Sequence, residues 1–507
     1  MSSRPGRGRG LWPSVRGWLL TALIVVPGIV ACAADQGLQS LSSVVSGGAF
    51  PIPPSAQREV TRFEEVYRTY STNPAAQPFE HFNDAFRRVR VTYVEPIDDA
   101  VLIDAAIAGV EELEGEIGSF DPSLVVEAGL SNMLASLDPH SSYLNAEEFR
   151  ESRVSTSGQF GGLGIEITLE NDLVKVVAPI EGTPAEAAGL APGDTITHVD
   201  GADIRGKGLI NAVNRMRGEP GSLVVITVVR GSSDAFDVKI IRDTIRVRSV
   251  RWRTEGNVGY IRVTRFTERV EPGIVRAMNE LRAELGNDLS GIVLDLRNNP
   301  GGLLDQSLIL ADSFLEEGRI VSIKGRGGIG DRVHSASPGD MASGLPLVVL
   351  INGGAASASE IVAGALQENH RATVMGRRSF GKGSVQTITP LPIEGALRLT
   401  TARYYSPDGH SIQGNGVYPD VILALPTDAE AQPSTREADL PNALATTEAA
   451  WRQNVPVVDA NRCRQAGTDA ILTTSGEPDL ELTCAVRFLE SKSVPAFVAA
   501  VGELPQS

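Results

Sequence analysis

The sequence predicts a multi-domain α/β protein with four parts: an N-terminal helical region, a small β domain, an α/β core and a helical C-terminal extension. Three observations predict it. Apolar residues recur at helical spacing from Phe63 to about Phe149. At Ser155 the composition shifts to glycine-rich turns between short alternating strands. Farther on, two buried-looking strands each run into a glycine-rich turn and then a helix, a pattern that argues for a largely parallel sheet covered on both faces. At 507 residues the chain is too long for one compact core, so two to four domains are expected.

The order along the chain follows from local patterns. Residues 1–34 read as an export signal: Arg4, Arg7, Arg9 and Arg16 precede the apolar run Trp18 to Ala31, which Pro27 and Gly28 make weak for a spanning helix. Ala31-Cys32-Ala33 fits an ordinary cleavage site, and Ile29-Val30-Ala31-Cys32 fits a lipobox that would leave a lipid anchor at Cys32; both stay open. Either cleavage puts the mature protein outside the cytoplasm, in the periplasm. Residues 35–60, rich in Ser, Gly and Pro at their start, read as a tether. The helical region, 61–154, contains FEHFNDAFRRVRVTYV, AVLIDAAIAGVEELE and PSLVVEAGLSNMLASL, and closes on the turn LDPHSSYL.

The β domain, 157–245, opens at FGGLGIEI and carries the strands LVKVVAPI, TITHVDG and LVVITVVRG, with helical pieces at PAEAAGL and LINAVNRMR. The α/β core, 246–425, holds the units GIVLDLR–NNPGG–LLDQSLILADSFL and PLVVLIN–GGAASAS–EIVAGALQE. The strands RATVMG, ALRLTTARYY and VILAL follow. Residues 426–507 start polar and end in two or three helical pieces.

Composition excludes several functions. A net charge of −16, from 46 basic and 62 acidic residues, argues against a nucleic-acid partner, which needs a basic face. Three cysteines and six histidines, none paired at ligand spacing, argue against a metal site, and no cofactor is expected. In an exported chain Cys463 and Cys484 either bridge or stay as two buried thiols; a bridge of that length stabilises by roughly 3 kcal/mol.

GRRSFGKGS, Gly376 to Ser384, nearly spells a phosphate loop. Gly383 stands where the magnesium-binding hydroxyl belongs, and the β-branched SVQTITPLPI follows in place of a helix, so nucleotide binding fails. GRGGIG, Gly325 to Gly330, fails likewise because no helix follows it. The other role for Lys382 is a base, which requires burial to lower its pKa from the reference value of about 10.4. A base needs a nucleophile. Ser357 falls where the second strand–turn–helix unit begins its helix, with free N–H groups and the helix dipole facing the hydroxyl. Gln386, four positions beyond Lys382, is placed to orient the amine. Gly301 or Gly302 can offer a backbone N–H to an oxyanion beside that of Ala358. On composition alone, small residues at a helix start serve close packing as readily as catalysis. A histidine triad is the weaker alternative, because none of the six histidines adjoins a nucleophile motif.

These residues resemble the carboxyl-terminal processing (tail-specific) proteases. The likeness runs from about Phe79 to Val421 through LDPHSSYL, a PDZ domain opening with GLGI, DLRNNPGG, NGGAASASE and FGKGSVQ. The resemblance implies a crotonase-like α/β serine protease core with Ser357 as nucleophile and Lys382, 25 positions later, as general base. Gln386 is carried over with them and Glu360 as a supporting residue. It implies a serine endopeptidase cutting exported proteins near nonpolar C-termini. The PDZ loop Gly162, Leu163, Gly164 and Ile165 would receive the terminal carboxylate while the tail adds as a strand. An activating partner lipoprotein and a homo-oligomer built through terminal helices are further implications. EGEIGSFDPSLVVEAG departs from the pattern and reads as an insertion; the tail carrying Cys463 and Cys484 is unfamiliar in detail, although READLPNAL and DLELTCAVRFLES are similar to the family's usual close. The competing reading from another class is a non-catalytic PDZ adaptor that captures protein C-termini for another protease.

Overall fold

The computed structural model describes residues 52–425 except 181, 232 and 247, and residues 435–446, 454–464, 471–473, 477–491 and 493–504. The export signal with Cys32, and the first part of the expected tether, lie outside the described residues. The tether does not reach residue 60: a helix spans Pro54–Tyr70, with Pro54 in the first turn, where a missing N–H costs nothing. Ala56, Val60, Phe63 and Tyr67, spaced three and four apart, form its buried stripe.

Helices Ala76–Thr92, Asp99–Glu111 and Pro122–Ala135 complete a bundle around stacked Phe63 and Phe82, whose ring centroids are 3.8 Å apart. Asp98 and Asp121 cap the second and third of these through Ala100 N and Ser123 N. The stretch read as an insertion is half structural: Val125 and Val126 are buried, and a Cβ on Gly129 would sit 2.8 Å from the Phe63 ring. After the LDPHSS turn, Ser142–Leu144 pairs antiparallel with Ala396–Tyr405 of the core. Helix Ala146–Ser157 then leads out to the β domain, opened by an Asn145–Glu148 capping box.

In the β domain, strands Ile165–Glu170, Leu173–Pro179, Thr195–Val199, Leu223–Val229 and Phe236–Ile241 lie side by side in that order. The last of them lacked a clear sequence signal: its burial pattern is mostly exposed. Among the described residues Ile165–Glu170 is an edge strand, paired only with Leu173–Pro179. Leu163, Val174, Ile196, Val224 and Ile226 build the core beneath helix Leu209–Met216.

The α/β core is a seven-stranded sheet: Val250–Glu255, Val258–Val263, Gly291–Asp295, Leu347–Ile351, Thr373–Gly376, Val421–Ala424, Val457–Asp459. All but the first run parallel. Alternation sends Val349 and Ile351 into one apolar layer and Val348 and Leu350 into the other. Helices Val270–Leu285, Leu304–Asp312 and Ala358–Glu368 fill the first layer. The second layer is closed by Leu480–Ser491 and Val494–Val501.

The stretch beyond 425 is therefore part of the core: it contributes the edge strand Val457–Asp459 and one helical layer. Its short strand and interrupted helices carried too little periodicity to reveal this. Cys463 and Cys484 are joined, Cα to Cα 5.0 Å, tying the edge strand's end to that layer. A second sheet, built on Ala396–Tyr405 with Ser384–Pro390 and Arg319–Gly325 on either side, packs across the first.

Candidate active site

Two turns meet at the C-terminal ends of neighbouring parallel strands. The strand Gly291–Asp295 ends in Asn298-Asn299-Pro300-Gly301-Gly302, and Leu347–Ile351 ends in Asn352 to Ala356 before Ser357. The asparagines clamp them together. Asn352 Oδ1 accepts from Asn298 N at 2.9 Å, and Asn352 Nδ2 donates to Asn298 Oδ1 at 2.9 Å. Asn299 O accepts from Ala356 N at 3.0 Å and from Ser359 Oγ at 2.9 Å. The motifs were visible in the sequence but this clamp was not, because asparagine in a turn is first a turn former.

Ser357 caps helix Ala358–Glu368 with φ 57° and ψ −114°, a region a side chain rarely occupies. The strained turn lifts it off the end of the strand. Glu360, fully buried in the first turn of the helix, links the nucleophile to the lysine loop. Its Oε2 accepts both Ser357 N at 2.7 Å and Lys382 N at 2.9 Å; its Oε1 accepts Ser379 Oγ at 2.5 Å and Gly381 N at 2.7 Å. Burial pushes this carboxyl up to about 7, against four donated hydrogen bonds that favour the carboxylate.

The loop Ser379–Gly383 is fixed at nearly every peptide. Phe380 N donates to Ala355 O at 2.9 Å, Gly414 N to Gly381 O at 2.8 Å, and Tyr404 N to Gly383 O at 2.9 Å. It leads into strand Ser384–Pro390, as the failed phosphate reading required. Burial lowers the Lys382 pKa from its ordinary value, and the Glu437 carboxylate opposes that shift. The buried Tyr404 phenol donates to Lys382 O and meets the Ser357 hydroxyl. Among the described residues no hydrogen bond joins Ser357 Oγ to Lys382 Nζ.

Gln386 Nε2 donates to Ser384 Oγ at 3.0 Å and Thr400 Oγ1 at 3.1 Å, so its oxygen is the atom left for a neighbouring amine. Thr400 Oγ1 in turn donates to Asp138 Oδ1 at 3.0 Å, which brings LDPHSS to the site. Of the two glycines expected to face an oxyanion, Gly301 has its N–H taken by Asn299 Oδ1 at 2.9 Å. That corrects its expected role: an N–H already bonded in place cannot also donate outward. Gly302 N and Ala358 N have no partner among the described residues. A Cβ on Gly301 would lie 2.8 Å from the Ser357 Cβ and 3.0 Å from Ala358 N, so a side chain would crowd the nucleophile.

Away from this cluster, Gly164 sits at φ 79°, and its carbonyl accepts from Ile180 N at 2.8 Å and Thr183 Oγ1 at 3.0 Å. Leu163 O accepts from Ala185 N at 2.9 Å. The carbonyls thus turn inward, and the N–H groups of Leu163 and Gly164 have no partner among the described residues. Gly162 pairs with Asp243 in a two-stranded ribbon, and Ile165 opens the edge strand.

Residues 257–423 match the model of peptidase family S41, and residues 161–240 that of the PDZ domain. The carboxy-terminal-processing protease of Bartonella bacilliformis is 49% identical over 347 residues, 68% of this chain and 75% of that protein. A "Probable CtpA-like serine protease" of Staphylococcus epidermidis is 36% identical over 304 residues, 60% of this chain and 61% of that protein. Among solved structures, a photosystem II D1 C-terminal processing protease is similar at 31% identity with a TM-score of 0.44, covering 70% of this chain and 96% of that one.

Proposed function

Because the chain belongs to the carboxy-terminal-processing proteases, serine-type peptidases of family S41 with a PDZ domain, we propose that it cuts exported proteins near nonpolar C-termini by a Ser–Lys mechanism. One observation carries the reading: a single oxygen, Glu360 Oε2, holds the backbone of both Ser357 and Lys382, and the lysine is buried enough for its pKa to fall. Neutral Lys382 takes the Ser357 proton as Oγ attacks the scissile carbonyl, and the resulting ammonium returns a proton to the leaving amine. Gly302 N–H and Ala358 N–H receive the oxyanion, whose charge the helix N-terminus favours. The Gln386 oxygen orients the Lys382 amine.

The PDZ domain selects the substrate. A terminal carboxylate meets the N–H groups of Leu163 and Gly164, and the tail adds to the open edge of Ile165–Glu170. The leader places the mature protein in the periplasm, with or without lipid on Cys32. An activating lipoprotein and self-association belong to the same proposal. No helix of the described residues is long and apolar enough to cross a membrane.

The test uses purified mature protein with an unstructured protein ending in Ala-Ala, the same protein ending in Asp-Asp, and the Ser357→Ala variant. Cleavage of the Ala-Ala substrate alone, lost in Ser357→Ala, is expected. Equal cleavage of both tails would overturn the specificity, and an active Ser357→Ala would overturn the nucleophile.

A further inference from the structure

We propose that Glu437 is a positioning residue of the reaction: its buried carboxylate fixes the Gly383 side of the lysine loop through Gln413 and faces the Lys382 ammonium as it forms. The inference rests on the Ser–Lys reading above and assigns a role to a residue outside the serine and lysine motifs.

The segment around Glu437 is stitched onto the lysine loop. Glu437 N donates to Phe380 O at 3.3 Å, and Arg436 Nη2 donates to Ser379 O at 3.1 Å and Asn415 O at 3.2 Å. The Glu437 side chain is fully buried, with His140 Nε2 at 3.0 and 2.8 Å from its two oxygens and Gln413 Nε2 at 2.9 Å. Gln413 then accepts from Gly383 N at 2.9 Å. A continuous line therefore runs from the N-terminal LDPHSS turn, through a C-terminal carboxylate, to the peptide beside the base. Burial alone would raise the carboxyl; the His140 and Gln413 hydrogen bonds hold it below the usual range, so it stays charged.

Four charged groups face Lys382: Glu437 from this segment, Arg398 from the long strand, Asp138 from the turn and Glu360 from the nucleophile's helix. Asp138 and Glu360 are each saturated by four donors, Asp138 by His140 N, Ser141 N, Ser141 Oγ and Thr400 Oγ1. When the Ser357 proton moves to Lys382, a cation appears in a buried site, and the Glu437 carboxylate, on a segment bonded to the lysine loop, opposes the burial that disfavours it. That charge stabilises the ammonium and so strengthens the base.

The experiment measures kcat and KM against pH for the Ala-Ala substrate, and fluorophosphonate labelling against pH, in wild type and Glu437→Gln. Ser357→Ala and Lys382→Ala run alongside. Loss of the negative charge should move the acidic limb of both profiles to lower pH by about one unit. It should also lower kcat on the plateau roughly tenfold at unchanged KM, as expected of a weaker base. An unmoved limb and wild-type kcat in a Glu437→Gln protein would overturn the inference while leaving the Ser–Lys reading intact. Activity surviving in Ser357→Ala or Lys382→Ala would overturn that reading and this inference with it. Should Glu437→Gln fail to melt cooperatively, Gln413→Met replaces it. That variant keeps the charge and cuts the link to Gly383, so kcat should fall roughly tenfold with the limb unmoved; wild-type kcat there would overturn the positioning role.

Discussion

A lysine serves as a base near neutral pH only when its surroundings destabilise the ammonium, and at Lys382 burial does this while Glu437 limits it. The folded-state pKa is therefore depressed below 10.5, so the neutral, active form accumulates as pH rises through that lower value. Hydrolysis should climb with pH along a limb that lies below 10.5, measured as kcat at saturating substrate. Lys382→Ala should remove at least 1000-fold of kcat, about 4 kcal/mol of barrier, with tail affinity and melting temperature little changed. Equal loss of binding and hydrolysis would make Lys382 structural. The spacing of Ser357, Lys382, Glu360 and Gln386 within two short motifs made them legible as candidates. Which glycine N–H is left free was not legible, since only the folded turn lets Asn299 Oδ1 claim that of Gly301.

At the scale of elements, Ser357 owes its place to the start of a helix, the NNPGG turn to the end of a strand, and Lys382 and Gln386 to a pinned loop and the strand it leads into. The parallel strands deliver both glycine-rich turns to the same edge of the sheet, and the asparagine pair sets their separation. The charged cluster just below serves the same end. Arg297 reaches Asp295, Asp479 and Glu481 at 2.8 Å, fastening the NNPGG strand to the C-terminal helix. In the β domain the GLGI turn is held by a close approach: a Cβ on Gly164 would fall 2.3 Å from the Thr183 Cβ, at a positive φ that disfavours a side chain anyway. Gly164→Ala should weaken binding of an Ala-Ala tail peptide by tenfold or more, by anisotropy, while Ser357 still labels with fluorophosphonate; about 1.4 kcal/mol separates these outcomes. Unchanged affinity would show that the tail docks elsewhere.

Across the described residues, the N-terminal bundle, the core and the chain beyond residue 425 all supply side chains to one candidate site. Asp138 and His140 come from the first, Ser357 and Lys382 from the second, Glu437 from the third. The Cys463–Cys484 bridge belongs to this scale because it closes a 21-residue separation between the sheet's edge and its outer helix. Reduction should cost roughly 3 kcal/mol in the chain-entropy account, read as a lower denaturant midpoint for Cys463→Ala/Cys484→Ala. An unchanged midpoint would place that stability elsewhere.

The helical bundle, the two strand–turn–helix units, the PDZ turn and the serine–lysine spacing are legible from the residues alone. Each is written in local periodicity or in a motif of a few residues, which short-range sterics and hydrogen bonding enforce. Long-range packing alone makes the chain beyond 425 complete the core, pairs the two cysteines, and brings Glu437 to His140 across 297 positions. Such contacts leave no local trace: a buried glutamate and a surface glutamate look alike in sequence, and the packing that separates them exists only once the distant segments meet.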